Sequence, residues 1–408
     1  MRLTTRTIHR EQHCCLWVVA FLINTLPKAL PVPAIFPLRH TKVTHTVCQR
    51  LLATALVLLL QDYDGKFHLR VPQENVEMKV LVTGGAGYIG GIVSRMLLAH
   101  GHEITILDNF CHSRRAAVPE GAKLVAGGLA DRELLEKTLR MTHFDGVMHF
   151  AALIEAGESM KFPEVYFRNN TAGTLTLLEA MRETGHDRLV FSSTAACYGE
   201  PESSPIYEDA RLAPTNPYGE SKLLSEYMMR WMSQVHGLNF AALRYFNVAG
   251  AAEGYGENHE PESHLIPLVL DVALGRRQSI KIFGQDYPTP DGTCIRDYIH
   301  VEDLADAHLL ALEALGKPDA LGRPGNGRRM VYNIGNGEGF TVLEVIESAR
   351  RVTGHAIPVE LCPRRPGDPA VLVASSAAIA RDLGWKPRHP RLDDIVASAW
   401  KWHRKLHA

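Results

Sequence analysis

Tyr218 and Lys222 stand four residues apart in Pro217-Tyr218-Gly219-Glu220-Ser221-Lys222, a spacing that puts both side chains on one face of a helix, one turn apart. The pair has a chemical use. A free phenol has a pKa of about 10, so a tyrosine acting as a base near neutrality needs positive charge beside its phenolate. Lys222 offers that charge. Thr194, at the end of an apolar run closing in Ser192-Ser193-Thr194, offers a hydroxyl to share a substrate proton. These three are the candidate catalytic residues, and a helix and a strand end must bring them together.

The elements that do so follow a recurring pattern. Apolar Val80 to Val82 runs into Gly84-Gly85-Ala86-Gly87-Tyr88-Ile89-Gly90, after which Ile92, Val93, Met96, Leu97 and Leu98 recur at helical spacing. Strand, glycine turn and helix in this order make a dinucleotide loop: Gly84, Gly87 and Gly90 let backbone approach a pyrophosphate, which the helix N-terminus attracts. A second strand, Glu103 to Leu107, ends in Asp108, where an acid accepts hydrogen bonds from the adenosine ribose and repels a 2′-phosphate. NAD is therefore expected over NADP, and its oxidised nicotinamide would be a second positive neighbour for Tyr218. Further strands are expected over Ala122 to Ala126, Gly146 to Phe150, Arg188 to Ser193 and Phe240 to Tyr245, with helices between them. Apolar strands alternating with helices predict a parallel sheet covered on both faces, with ligands at the strands' carboxyl ends. Phe150-Ala151-Ala152 and Ser192-Ser193-Thr194 fall at two such ends, over the cofactor.

Composition agrees with a small-molecule enzyme. The 408 residues are 46% hydrophobic with a net charge of −1, which excludes a disordered chain or a disulfide scaffold. Residues 1 to 77 hold 9 Lys+Arg against 5 Asp+Glu, leaving 35 against 40 in the acidic remainder, so nucleic acid is not an expected partner. The 7 cysteines form no C-x-x-C pair and read as reduced thiols of a cytoplasmic protein, and the 20 histidines form no clustered ligand pattern, so no metal is expected. Two apolar runs, Cys14 to Ile23 and Leu51 to Leu60, are too short to span a bilayer, which takes roughly 17 to 25 residues. Residues 1 to 77 fit a secretory signal, an organelle-targeting segment, or sequence upstream of the functional start. Met78, immediately before the strand Lys79 to Thr83, favours the last.

The glycine loop and the Tyr218/Lys222 pair resemble the extended short-chain dehydrogenase/reductase superfamily. More specific runs narrow the resemblance: Ala156-Gly157-Glu158-Ser159, Leu243-Arg244-Tyr245-Phe246-Asn247-Val248-Ala249-Gly250, Ile282 to Thr293, Arg296-Asp297-Tyr298-Ile299-His300-Val301 and Arg364-Arg365-Pro366-Gly367-Asp368. In this order they resemble the UDP-glucose 4-epimerase family across roughly Lys79 to Trp402. The resemblance implies a Rossmann-type doubly wound α/β sheet, residues 78–250, interleaved with a smaller C-terminal α/β substrate lobe, residues 251–408. It implies oxidation of a UDP-sugar at carbon 4 by tightly held NAD, with Tyr218 as base, rotation of the 4-keto sugar, and return of the hydride to the opposite face. Cofactor contacts carry over to Gly84, Gly87, Tyr88, Ile89, Gly90, Asp108, Asn109, Ser113, Gly128, Leu129, Phe150, Ala151, Ala152, Asn170, Tyr218, Lys222, Tyr245 and Phe246. On the substrate, Thr194, Tyr218 and Phe246 should lie near the sugar, and Asn247, Arg296 and Arg365 should meet the diphosphate. Asp368 should bind the uridine ribose, and Leu265 and Phe283 the uracil. Leu372 occupies the position that gates the space beside the sugar's 2-substituent.

Some positions depart from the pattern. Gly128 replaces an Asp that meets adenine, Ile154 a Lys that reaches the cofactor phosphates, and His112 a common Asn. A weaker grip on NAD is the expected result. UDP-glucose and UDP-galactose are the expected substrates, with a UDP-N-acetylhexosamine or UDP-pentose as the alternative. A dehydratase is disfavoured because Ala195 and Ala196, not a carboxylate, follow Thr194; a non-catalytic NAD sensor would not need the Tyr218, Lys222 and Thr194 set. Leu223, Leu224, Tyr227, Met228, Trp231, Met232 and Val235 form an apolar band wider than one core face needs, so a two-fold homodimer is expected.

Overall fold

Val80, Leu81 and Val82 are all fully buried although successive side chains point to opposite faces of a strand. Both faces of β1 (Lys79–Thr83) must therefore be covered. Val80 and Val82 join Ile104 and Ile106 of β2 (Glu103–Asp108) on one face, against Ile92, Val93 and Leu97 of helix α1 (Tyr88–Ala99). Leu81 joins Leu107 on the other, with Leu135 and Leu139 of α2 (Arg132–Met141) and Leu177, Leu178 and Met181 of α3 (Gly173–Thr184).

The remaining strands of this sheet are β3 (Lys123–Ala126), β4 (Gly146–His149), β5 (Arg188–Thr194), β6 (Asn239–Tyr245) and a late addition, Arg329–Ile334. All seven are parallel, in the order Arg329–Ile334, β6, β5, β4, β1, β2, β3. The order reverses between β1 and β4, which opens a crevice at their carboxyl ends. The expected strands and the doubly wound sheet are found to within a residue or so at each end. The seventh strand was not expected. It brings residues from far beyond 250 back into the first sheet.

Helix α4 (Pro217–His236) follows β5 and carries the candidate catalytic pair. Pro217 occupies its first position, where the missing N–H costs nothing, and the Asn216 side chain caps it by accepting from the Gly219 N–H at 2.9 Å. Beyond β6, β7 (Asn247–Ala249) leaves the main sheet and pairs in parallel with Ile295–His300. The latter also pairs with Gly339–Thr341 and Val371–Leu372, making a second, smaller sheet. Its core is built by α5 (Leu265–Ala273), Val345 and Ile346, and Ile395, Val396 and Trp400 of the last helix.

The computed structural model describes residues 77–252, 254–317, 327–365 and 368–408, all within one compact unit. The expectations for residues 1–76 and for Pro366-Gly367 lie outside the described residues. Among those described, no helix is long and apolar enough to cross a membrane.

Candidate active site

The carboxyl ends of β1, β2, β4, β5 and β6 open onto one groove of about 880 Å³. The glycine turn and the first turn of α1 line it through Gly84, Gly87, Tyr88, Ile89 and Gly90. A Cβ on Gly90 would fall 2.3 Å from the Gly84 carbonyl oxygen, so only glycine lets the helix start this close to the turn. The turn is braced by chain beyond β7: the Tyr255 hydroxyl donates to the Ala86 carbonyl at 2.9 Å, and the Tyr88 hydroxyl donates to the Gly250 carbonyl at 2.7 Å.

Asp108, Asn109, Ser113, Gly128, Leu129, Phe150, Ala151 and Ala152 line the same groove. Asp108 is nearly buried, and its carboxylate accepts from the Ala86 N–H (3.0 Å), the Phe110 N–H (2.8 Å) and the Ser113 hydroxyl (2.8 Å). It thus shapes both neighbouring loops while retaining acceptor capacity toward the groove. Around Gly128, a Cβ would meet only the Asn109 side chain, at 3.5 Å, so glycine there leaves open space. Ile154 and His112 also line the groove.

Two expected contacts are placed differently. Asn170, on a wide π-type turn over Phe167–Ala172, does not line the groove. Its carbonyl oxygen accepts from the Leu153 N–H and its amide donates to the Leu153 carbonyl and the Ser221 hydroxyl, so it ties the segment after β4 to α4; its neighbour Asn169 reaches the groove instead. Lys222 is buried behind the groove rather than in its wall, with Nζ donating to the Ser192 carbonyl at 2.8 Å and 4.8 Å from the Phe191 ring centre. The expected partnership with the Tyr218 phenol is not made in this geometry.

Tyr218, Thr194, Ser192, Tyr245, Phe246 and Asn247 also line the groove. Gly219 makes the approach possible. A Cβ there would lie 2.7 Å from the Ala196 carbonyl oxygen, so only glycine lets the first turn of α4 rest on the turn after β5. The Thr194 hydroxyl lies beside the Tyr218 phenol as a result. Burial pushes the phenol up to about 12 although the nearby hydroxyl acts to lower it. Burial pushes the Lys222 ammonium down to about 7. Both shifts disfavour charge, so the phenolate form requires added positive charge inside the groove.

The second group of expected residues lies around the smaller sheet: Arg296 and Leu372 are on it, and Phe283 ends Ile280–Phe283, which pairs separately with Val359–Cys362. Arg296 of Ile295–His300 lies in register with Leu372 and forms an ion pair with Asp368. The Arg365 guanidinium lies 3.9 Å from the centre of the Phe283 ring, a cation–π stack. Leu265 opens α5. None of these six lines that groove. They are joined to it through Asn247, whose amide donates to the Asp297 carbonyl at 3.0 Å, next in the chain to Arg296.

A family profile described as NAD dependent epimerase/dehydratase matches residues 80–335. The chain belongs to this epimerase/dehydratase family. A UDP-glucose 4-epimerase of Streptomyces lividans is 53% identical over 326 residues, 80% of this chain and 96% of its own. A crystal structure of a UDP-glucose 4-epimerase is 48% identical with a TM-score of 0.76, covering 80% of this chain and 98% of the other. Another UDP-glucose 4-epimerase, from Stenotrophomonas maltophila, is 39% identical with a TM-score of 0.77 over 81% and 99% of the two chains, and holds NAD and formylated UDP-arabinopyranose.

NAD, the cofactor of the epimerase/dehydratase family, fits the residues present: glycines that leave backbone exposed, a helix N-terminus for its pyrophosphate and Asp108 for its ribose. Sequence reasoning missed the groove wall formed by Tyr255, Glu257, His259, His264 and Trp402. Nothing local marks these residues, because they meet the glycine turn only through the fold. Two histidine-carboxylate groups lie among the described residues away from the groove, and each is already engaged. Asp271 accepts from Arg276, Arg277 and His403. His300 uses one ring nitrogen on the Glu302 N–H and the other on Ser398.

Proposed function

We propose that this chain interconverts UDP-glucose and UDP-galactose by inversion at carbon 4 through a transient 4-keto sugar. The observation that carries the reading is the Tyr218 phenol beside the Thr194 hydroxyl in a dinucleotide groove that Asn247 joins to the strand bearing Arg296. Bound NAD supplies the hydride acceptor and, later, the donor. Tyr218 takes the proton of the 4-hydroxyl, relayed by Thr194, and returns it at the end. Lys222, poised by burial to change charge near neutrality, supports the phenolate when it turns from the Ser192 carbonyl. Arg296, Arg365 and Asn247 hold the diphosphate while the keto sugar turns about it, Asp368 takes the uridine ribose, and Leu265 and Phe283 flank the uracil. For Arg296 this means exchanging part of its bond to Asp368 for phosphate oxygens. Residues 78–250 serve as the NAD lobe and 251–408 as the UDP-sugar lobe, with Arg329–Ile334 interleaving the two.

The finer partner reading is a homodimer through α4. Trp231 and Val235 are 59% and 63% exposed, and Tyr227 and, on α3, Leu175 are exposed too, which supports a covered apolar face. A cytoplasmic setting is supported by the free thiols of Cys111, Cys197, Cys294 and Cys362.

The decisive assay follows conversion of UDP-galactose to UDP-glucose by the purified chain, with Tyr218→Phe beside it. The expected outcome is turnover in the parent and a loss of about 10²-fold or more in the variant, with NAD still bound. Equal turnover in the two proteins would overturn the assignment of the base.

A further inference from the structure

Tyr218, Lys222 and Glu226 are spaced one turn apart along α4 and so lie on one face. Each meets one of three consecutive residues at the end of β5. Tyr218 lies beside the Thr194 hydroxyl, Lys222 donates to the Ser192 carbonyl, and Glu226 accepts from the Ser193 hydroxyl. Only the first two belong to the expected reaction. The third contact is made by a buried carboxylate that is also bidentate with the Arg244 guanidinium of β6, at 2.9 and 2.6 Å.

The connection continues past Arg244. Its guanidinium donates to the Tyr198 hydroxyl at 3.0 Å, and Tyr198 donates to the Asn333 side-chain oxygen at 2.7 Å. Asn333, on the interleaved strand Arg329–Ile334, donates from its amide to the Ile206 carbonyl at 2.9 Å. The Ile206 N–H donates to the Val373 carbonyl, one residue beyond Leu372. A continuous hydrogen-bonded path thus runs from the catalytic strand end to the strand beside Arg296. A buried ion pair is a poor way to gain stability, since its desolvation costs about as much as the attraction returns. Its geometric value is greater: a planar fork fixes both the height and the rotation of the helix that bears it.

We propose that Glu226, held by Arg244 and bonded to Ser193, is a positioning residue that sets the register of α4 on β5 and thereby the alignment of Tyr218 with Thr194 and Lys222. It touches no substrate or cofactor. This rests on Tyr218 being the base. Loss of the third contact lets α4 shift on the strand end, and a misplacement well under 1 Å at the phenol costs roughly tenfold in rate.

Ser193→Ala is the sharpest test because it removes one hydrogen bond and leaves the Glu226–Arg244 pair whole. In the NAD-containing full chain it should lower kcat about tenfold with KM unchanged, and raise the pH at which Tyr218 ionises, read from phenolate absorbance against a Tyr218→Phe blank. Ser193→Thr, which keeps the hydroxyl, should restore both. Glu226→Gln should fall further if it folds. Wild-type kcat and an unmoved Tyr218 titration in Ser193→Ala would overturn the proposal, as would a rate loss that Ser193→Thr leaves uncorrected. A parent protein without UDP-galactose turnover would instead sink the functional reading, and the phenol titration would still decide the positioning role.

Discussion

At the scale of single residues, burial at the site acts against charge. Burial drives Tyr218 up to about 12 and Lys222 down to about 7. With Tyr218 as the proposed base, its phenolate needs positive charge beside it, which the oxidised nicotinamide of bound NAD would supply. The lysine shift also has a stability signature. An unfolded Lys222 keeps its proton up to its ordinary value of 10.5, whereas the folded one releases it near 7. Below about 7 both states are protonated and the folded protein carries the whole burden of a buried ammonium. Above that, the unfolded chain binds more protons than the folded one, so stability rises with pH. Urea denaturation of NAD-free protein should show the parent gaining on Lys222→Met between pH 7 and pH 9. Parallel stability curves for the two proteins would contradict the burial of a titrating lysine.

At the scale of elements, the chemistry depends on how closely α4 approaches the turn after β5. Gly219 permits that contact, since any side chain there would press on the Ala196 carbonyl. Gly219→Ala should push the helix start outward and separate Tyr218 from Thr194. The expected result is a fall in kcat of roughly 10- to 100-fold, with unchanged far-ultraviolet circular dichroism and unchanged NAD content. Loss of NAD together with activity would show instead that the substitution disturbs the whole groove. Ile295–His300 is the second decisive element. It pairs with β7 at one end and with Val371–Leu372 at the other, so one strand sets the spacing between groove and arginine cluster.

For the whole molecule, the two sheets are bound by chain that crosses between them. Arg329–Ile334 closes the edge of the first sheet after the chain has built part of the second, and Tyr255 braces the glycine turn from beyond β7. Movement of one sheet would therefore be felt in the other. The apolar face left by Tyr227, Trp231 and Val235 belongs to the same catalytic helix, so a partner copy would stiffen it from outside. Sedimentation at micromolar concentration should give twice the chain mass, and Trp231→Arg should shift the protein toward the single-chain mass. A parent that sediments as one chain would remove the dimer.

The glycine turn, Asp108, the Tyr218/Lys222 spacing and the expected strands were legible in the sequence because each depends on local physics. Period-2 and helical apolar patterns report which faces are buried, and glycines report where backbone must approach closely. Non-local placement was hidden. Asn170 turned inward to Leu153 and Ser221, Lys222 turned to the Ser192 carbonyl, and Arg296 met Asp368, because buried polar groups take the partners that packing leaves within reach. Glu226 was visible as the next turn after Lys222, yet its partner Arg244 lies on another strand and no spacing announces it. By itself the sequence determined the elements and their chemical inventory, since both follow from interactions over a few residues. Tertiary structure alone decided which side chains face the groove and which hold it in shape, since that depends on contacts between residues distant in the chain.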